Sequence, residues 1–136
     1  SSSAASDVYK RQHQILGLPG ETPEMMVETA RYIGRSGAEG IKLHLLHVLT
    51  GTDLAADYAA GAFETLTLDA YITLLEACLR VLPREMVIHR LTGDGAKRDL
   101  LAPGWSGDKK RVINEIRRRF LADDLEQGSD LPDSLI

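Results

Sequence analysis

The chain has 136 residues, 43% hydrophobic and 26% charged, a balance suited to one modest globular domain rather than a disordered or collagen-like segment. Its net charge of −4 excludes a broad positive field for nucleic acid or anionic membrane. No apolar run approaches the roughly 20 residues of a membrane span and no signal peptide is visible, so a reducing, cytoplasmic setting is expected. The single cysteine, Cys78, excludes an internal disulfide and any all-cysteine metal or cluster site within the chain.

Residues 1–12 (SSSAASDVYKRQ) have no helical or strand period and no hydrophobic anchor. Residues 2–12 resemble the in-frame translation of a sequencing adapter, and the stretch is set aside as non-native before fold reasoning. On that reading the natural sequence starts at His13, partway into a longer protein.

Residues 13–18 (HQILGL) read as a short apolar strand ending in Pro19 and Gly20. Thr22, Pro23 and Glu24 then supply an N-cap, a proline at the first helical position and an acidic first turn. Met26, Ala30 and Ile33 recur on one helical face until Gly37 ends the run. Residues 41–49 (IKLHLLHVL) form the strongest strand signal, bounded by Gly40 and Gly51. A short helix is expected over 53–60. Thr67 caps the next, with Tyr71, Ile72, Leu75, Cys78, Leu79 and Leu82 as its apolar stripe and Pro83 as its end. Residues 86–92 (MVIHRLT) make a third strand, closed by Gly93, Asp94 and Gly95. Residues 109–121 form a last amphipathic helix through Val112, Ile116 and Phe120, with Trp105 expected to pin it to the sheet. The acidic stretch 122–136 reads as a loosely held, flexible tail.

Strands separated by helical segments of this length imply crossover units and a parallel sheet. Three strands cannot close a barrel and are few for an open sheet, which suggests part of a larger fold. In α/β barrels and open sheets, ligands bind at the carboxyl ends of the strands. Residues 17–21, 44–52 and 90–95 lie at those ends.

Gly17, Leu18, Pro19, Gly20 and Glu21 place two glycines and a rigid proline between a strand and a helix start. Glycine permits close backbone approach to a ligand, and the helix N-terminus offers N–H groups to anions. The spacing fits neither a phosphate loop nor a dinucleotide fingerprint, and an ordinary capped turn is the alternative. In the second strand, alternation puts Ile41, Leu43 and Leu45 on one face and Lys42, His44 and Leu46 on the other. Lys42 on an inward face can meet a carboxylate or phosphate, and His44 and His47 can move protons. Alternatively, Lys42 pairs with a carboxylate and the histidines are hydrogen-bonded core residues. No third ligand has a diagnostic spacing, so no metal site is assigned. His89 and Arg90 face opposite ways in a regular strand, and Arg90 with its planar fork is the better partner for an anion. Asp94 between two glycines suits either a ribose hydroxyl or a plain turn, and Cys78 reads as a small core residue. Lys109, Lys110, Arg111, Arg117, Arg118 and Arg119 form a basic helix that is either an RNA-phosphate contact or a solvated face.

The ordered string GLPGET (17–22), GIKLHLLHVLTGT (40–52), YAAGAFETLTLDAY (58–71), VIHRLTGDG (87–95) and LLAPGW (100–105) resembles the C-terminal half of a radical S-adenosylmethionine (SAM) protein. The resemblance is to the YhcC-like subfamily, related to the Elongator catalytic subunit. It implies an α/β fold: the last three parallel strands, with flanking helices, of a partial (β/α)6 barrel over 13–103, followed by an amphipathic helix unit over 104–121. It further implies a [4Fe–4S] cluster that reductively cleaves SAM, an electron donor for that cluster, and tRNA as a conceivable partner. One departure matters. Such proteins hold the cluster through three cysteines early in the barrel, and Cys78 matches none of them. The cluster ligands are therefore expected upstream, and this chain alone is expected to be inactive. Under the resemblance, Gly17, Leu18, Pro19, Gly20 and Glu21 match the glycine-rich segment near bound SAM. Lys42 matches a lysine of the Elongator-type strand, and Arg90 an arginine of the last strand. Two rival readings are a non-catalytic RNA-contacting module built on the basic helix, and a non-radical barrel enzyme with Lys42 as a Schiff-base nucleophile.

Overall fold

Four helix starts share one device. The computed structural model describes residues 11–92 and 97–132. Its helices are α1 (Pro23–Arg35), α2 (Asp53–Ala59), α3 (Leu68–Arg80) and α4 (Lys109–Ala122). Thr22, Thr52 and Thr67 accept hydrogen bonds from the backbone N–H groups of Met25, Ala55 and Ala70 at 3.2, 3.1 and 3.1 Å. Asp108 does the same for Arg111 at 3.2 Å. Each cap satisfies an otherwise orphaned donor and contributes about 1 kcal/mol.

The main sheet runs in the order β1 (Arg11–Leu16), β2 (Gly40–Leu45) and β4 (Val87–Arg90), all parallel. Its first strand begins two residues inside the stretch set aside as adapter-like: Arg11 lies opposite Gly40 and Gln12 opposite Ile41. Main-chain groups alone make that ladder, so an apolar side-chain pattern is not needed to extend it. The strand ends at Leu16 rather than residue 18 because Gly17, at φ +95°, turns the chain.

One face of this sheet is covered. Leu16, Ile41, Leu43 and Leu45 pack against Met26, Ala30 and Ile33 of α1 and Tyr71, Ile72, Leu75, Cys78 and Leu79 of α3. Val112 and Ile116 of α4 join the same core, and the apolar stripes predicted for all three helices are its buried faces.

The long second strand is broken. Leu46 and His47 interrupt it, and β3 (Val48–Leu49) leaves the main sheet to pair antiparallel with β5 (Leu100–Ala102). Val48, Ala55 and Ala102 form a second small core with Leu54, Tyr58 and Phe63. The Thr50 N–H donates to Asp99 O at 2.8 Å beside it. That pairing joins segments far apart in the chain, so the local apolar run could not reveal it.

Two further segments pack in ways that the sequence does not specify. Trp105 donates its indole N–H to Leu66 O at 2.9 Å and packs on Tyr71 with ring centroids 5.7 Å apart. It thus ties the turn before α4 to the approach of α3, and it packs against the core that the sheet residues Leu16, Ile41, Leu43 and Leu45 share. The acidic tail is docked rather than loose as far as residue 130. The Gly128 N–H donates to Leu79 O at 3.0 Å and the Asp130 N–H to Arg80 O at 2.9 Å. Gln127 Nε2 donates to Pro83 O and Met86 O at 2.7 and 2.8 Å. The tail thus adds a second donor to Leu79 O, which also accepts from the Leu82 N–H at 3.2 Å, and supplies one to Arg80 O at the helix end.

Candidate ligand wall at the carboxyl end of the sheet

Residues 17–21 leave the carboxyl end of β1. The Glu21 N–H donates to Leu18 O at 3.1 Å, with Pro19 second and Gly20 third at φ +84°, which is a type II turn. The two glycines do different work. Gly17 donates its N–H to Met26 Sδ at 3.3 Å, and a Cβ there would sit 3.3 Å from Leu66 Cδ1. It is a packing position. Around Gly20 nothing lies within 4 Å of a notional Cβ, and Leu18, Pro19 and Gly20 are all exposed. The accessible backbone of this turn is therefore its tip.

Lys42 and His44 are half-buried on the face opposite Ile41, Leu43 and Leu45, as strand alternation predicts. His13 comes to the same face from β1. Its ring lies nearly parallel to that of His44, with interplanar angle 9° and Nδ1 of His13 3.2 Å from Nε2 of His44. One nitrogen must donate and the other accept, so the bond requires at least one of the two rings to be neutral.

On the other side of β2 the register shifts. Ile41 pairs with Ile88, but Lys42 pairs with Arg90, so β4 carries one extra residue at this point. His89 is that residue, and its imidazole fills the space where Gly40 lacks a side chain: a Cβ there would lie 2.7 Å from His89 Cδ2. The regular strand assumed from sequence brings only one of His89 and Arg90 to the inner face. The shift sets Arg90 opposite Lys42 and leaves His89 against Gly40.

The remaining candidates separate. Asp94 and its flanking glycines lie outside the described residues. His47 sits half-buried in the break between β2 and β3. Cys78 is fully buried in the core, and burial pushes its thiol up to about 12. On α4, Lys109, Lys110, Arg111, Arg117 and Arg118 are exposed, but Arg118 is paired with Glu115. Arg119 turns back onto α3, where it bonds Asp69 at 2.5 Å, Thr73 at 2.9 Å and Glu76 at 3.4 Å. The basic helix is therefore not a uniform cationic surface. His13 and the Gly40–His89 fit escaped the sequence reading. Alternation in residues 13–18 does place His13 on the open face, but register between strands has no local signal.

Parallel strands joined through helices, with one face packed and the other bearing polar side chains, define an α/β protein. Residues 38–121 match the family described as the Radical_SAM C-terminal domain, and the chain belongs to that family. It is 42% identical over 108 residues to YtqA of Bacillus subtilis, covering 79% of this chain and 34% of that protein. It is 33% identical over 119 residues to YhcC of Escherichia coli K12, covering 88% and 38%. The chain thus spans little more than a third of these relatives. The fold is that of Elp3 from the archaeon Methanocaldococcus infernus, with a TM-score of 0.61 over 86% of this chain and 28% of that one, at 15% identity. No helix among the described residues is long and apolar enough to cross a membrane.

Proposed function

We propose that this chain forms the cofactor- and substrate-facing wall of a radical SAM enzyme whose iron–sulfur ligands lie elsewhere in a longer protein. One observation carries the reading. The open sheet face with Lys42, His44 and Arg90 lies on β2 and β4 of the same parallel sheet whose β1 leads into the turn of residues 17–21, in a chain of the Radical_SAM C-terminal domain family.

The two implied groups fit this chain differently. Gly20 and its exposed neighbours offer main-chain approach to part of SAM, next to the capped start of α1. The cluster does not fit: Cys78 is sealed in the core, and among the described residues no group of three or more His, Cys, Asp or Glu is arranged to hold a metal ion. No step is assigned through it here.

When bound, the cofactors supply the radical chemistry, and the protein supplies orientation and a dry cavity. Under this reading the tip at Leu18, Pro19 and Gly20 seats the adenosyl moiety. Lys42 and Arg90 hold polar groups of the ligand, and the half-buried His44 keeps part of the wall from water. An electron donor and a substrate complete the reaction.

The test is to recover the longer coding sequence, express it, and reconstitute it anaerobically with iron and sulfide. A three-cysteine motif upstream and SAM-dependent release of 5′-deoxyadenosine are expected. Absence of the motif, or a reconstituted protein that leaves SAM intact, overturns the reading.

A further inference from the structure

The 17–21 turn is held at its base rather than at its tip. Leu18, Pro19 and Gly20 are exposed, whereas Gly17 and Glu21 are half-buried. At Gly17 the chain meets the side chains of Met26, Leu66 and Leu46. Met26 Sδ accepts the Gly17 N–H at 3.3 Å, and Leu66 and Leu46 come within 3.3 and 3.7 Å of a notional Cβ. Met26 is anchored on the buried face of α1, and the Leu46 N–H donates to Leu16 O at 2.9 Å. Leu66 has no such support from its own segment, because residues 63–67 belong to no helix or strand.

Trp105 supplies that support. Its indole N–H donates to Leu66 O at 2.9 Å, across 39 residues of chain. Trp105 is itself fixed in the tight 3-10 turn Gly104–Gly107. There the buried Ser106 Oγ donates to Pro103 O at 2.7 Å, and the Asp108 N–H donates to Trp105 O at 3.3 Å. The indole also packs on the fully buried Tyr71, whose hydroxyl donates to Leu91 O at 2.5 Å, one residue past β4. One aromatic pair thus reaches the carboxyl ends of both β1 and β4. A buried indole N–H needs an acceptor, and here the acceptor belongs to the residue that packs on Gly17.

We propose that Trp105 is a positioning residue for the cofactor: through Leu66 and Gly17 it holds the 17–21 turn where the exposed tip meets SAM. This role rests on the ligand-wall reading above. Trp105 itself touches no ligand, so its loss should weaken the hold on SAM and spare the chemistry. The backbone of the turn reports the coupling with no ligand present. Failure of SAM cleavage in the longer protein therefore leaves the coupling measurable, and failure of the coupling leaves the ligand-wall reading standing.

Amide hydrogen exchange in the 136-residue chain is the first test. The Gly17 and Glu21 N–H groups, which donate to Met26 Sδ and Leu18 O, report the turn. The Val87 N–H, which donates to Glu39 O at 2.9 Å, reports the opposite end of the sheet. Trp105→Phe keeps a ring on Tyr71 and removes the donor. Exchange at Gly17 and Glu21 is expected to rise about tenfold beyond any change at Val87, the worth of one hydrogen bond and the packing it supports. Leu66→Ala should do the same, and the double variant should add little, because the two positions act as one. Cys78→Ser, which disturbs the core on α3, should not single out the turn. In the longer protein, Trp105→Phe is expected to raise KM for SAM about tenfold with kcat little changed. Turn amides that follow Val87 in Trp105→Phe, that exchange freely in the unaltered chain, or whose changes simply sum in the double variant overturn the coupling. An unchanged KM, or a fall in kcat alone, overturns the positioning role.

Discussion

Arg119 of α4 reaches across to α3 and donates from Nη2 to Oε1 of Glu76 at 3.4 Å, and the Glu76 side chain is only 4% exposed. The same guanidinium also holds Asp69 and approaches Asp123 at 3.5 Å, so one residue joins two helices and the start of the tail. Removing one partner of a buried pair leaves the other charge desolvated. Arg119→Met should cost about 2 kcal/mol, below the fully buried case because Arg119 is 19% exposed. Urea unfolding measures it. The double variant Arg119→Met, Glu76→Gln should recover part of the loss, and an unchanged midpoint in the single variant would remove Arg119 from the account.

Glu76 also sets a pH dependence. Burial raises its carboxyl above the ordinary 4.5, reinforced by a hydrogen bond and charge from Asp123 and opposed by Arg119 and Arg80. The native state then binds this proton more tightly than the unfolded chain does. Stability from this group is fully present below the ordinary glutamate range and is lost as pH rises through the raised value. Glu76→Gln should flatten the stability profile across that window and leave the protein more stable above it. Parallel profiles for the two proteins would be the contrary result.

The two glycines of the 17–21 turn should respond unequally to alanine. Gly17 has φ +95° and a notional Cβ 3.3 Å from Leu66, whereas Gly20 has φ +84° and open space. Gly17→Ala should destabilise by about 2 kcal/mol and Gly20→Ala by about 1 kcal/mol, the conformational cost alone. Thermal unfolding of both variants gives the order, and equal shifts would contradict the packing role of Gly17.

Cys78 should be chemically silent. Its thiol, buried and pushed up to about 12, has almost no thiolate at neutral pH. Alkylation should be negligible in the native chain and rapid in urea. Iron and sulfide should build no cluster on it. Cys78→Ser, which buries a hydroxyl in an apolar core, should cost about 1–3 kcal/mol. Fast native labelling would show that the core opens there.

Much of the fold was legible because its signals are local. Thr22 and Thr67 announce helix starts by short-range hydrogen bonds, and Met26, Ala30 and Ile33 announce a buried face by their spacing. Lys42 and His44 were placed on the right side of their strand by alternation alone. The break at Leu46 and His47 was not legible, because it serves a pairing with β5. Nor was the docking of Gly128 and Asp130, which answers carbonyls at the end of a distant helix.

The sequence by itself determined which faces are apolar, where two of the helices are capped, and that Cys78 lies on an apolar helical stripe. These follow from periodicity, capping chemistry and composition, each readable within a few residues. Only the tertiary structure decided that Arg90 stands beside Lys42, that His13 meets His44, and that Arg119 serves α3 rather than a basic surface. Each of these depends on register or packing between segments distant in the chain, and a one-residue slip in register turns a side chain to the other face of a sheet.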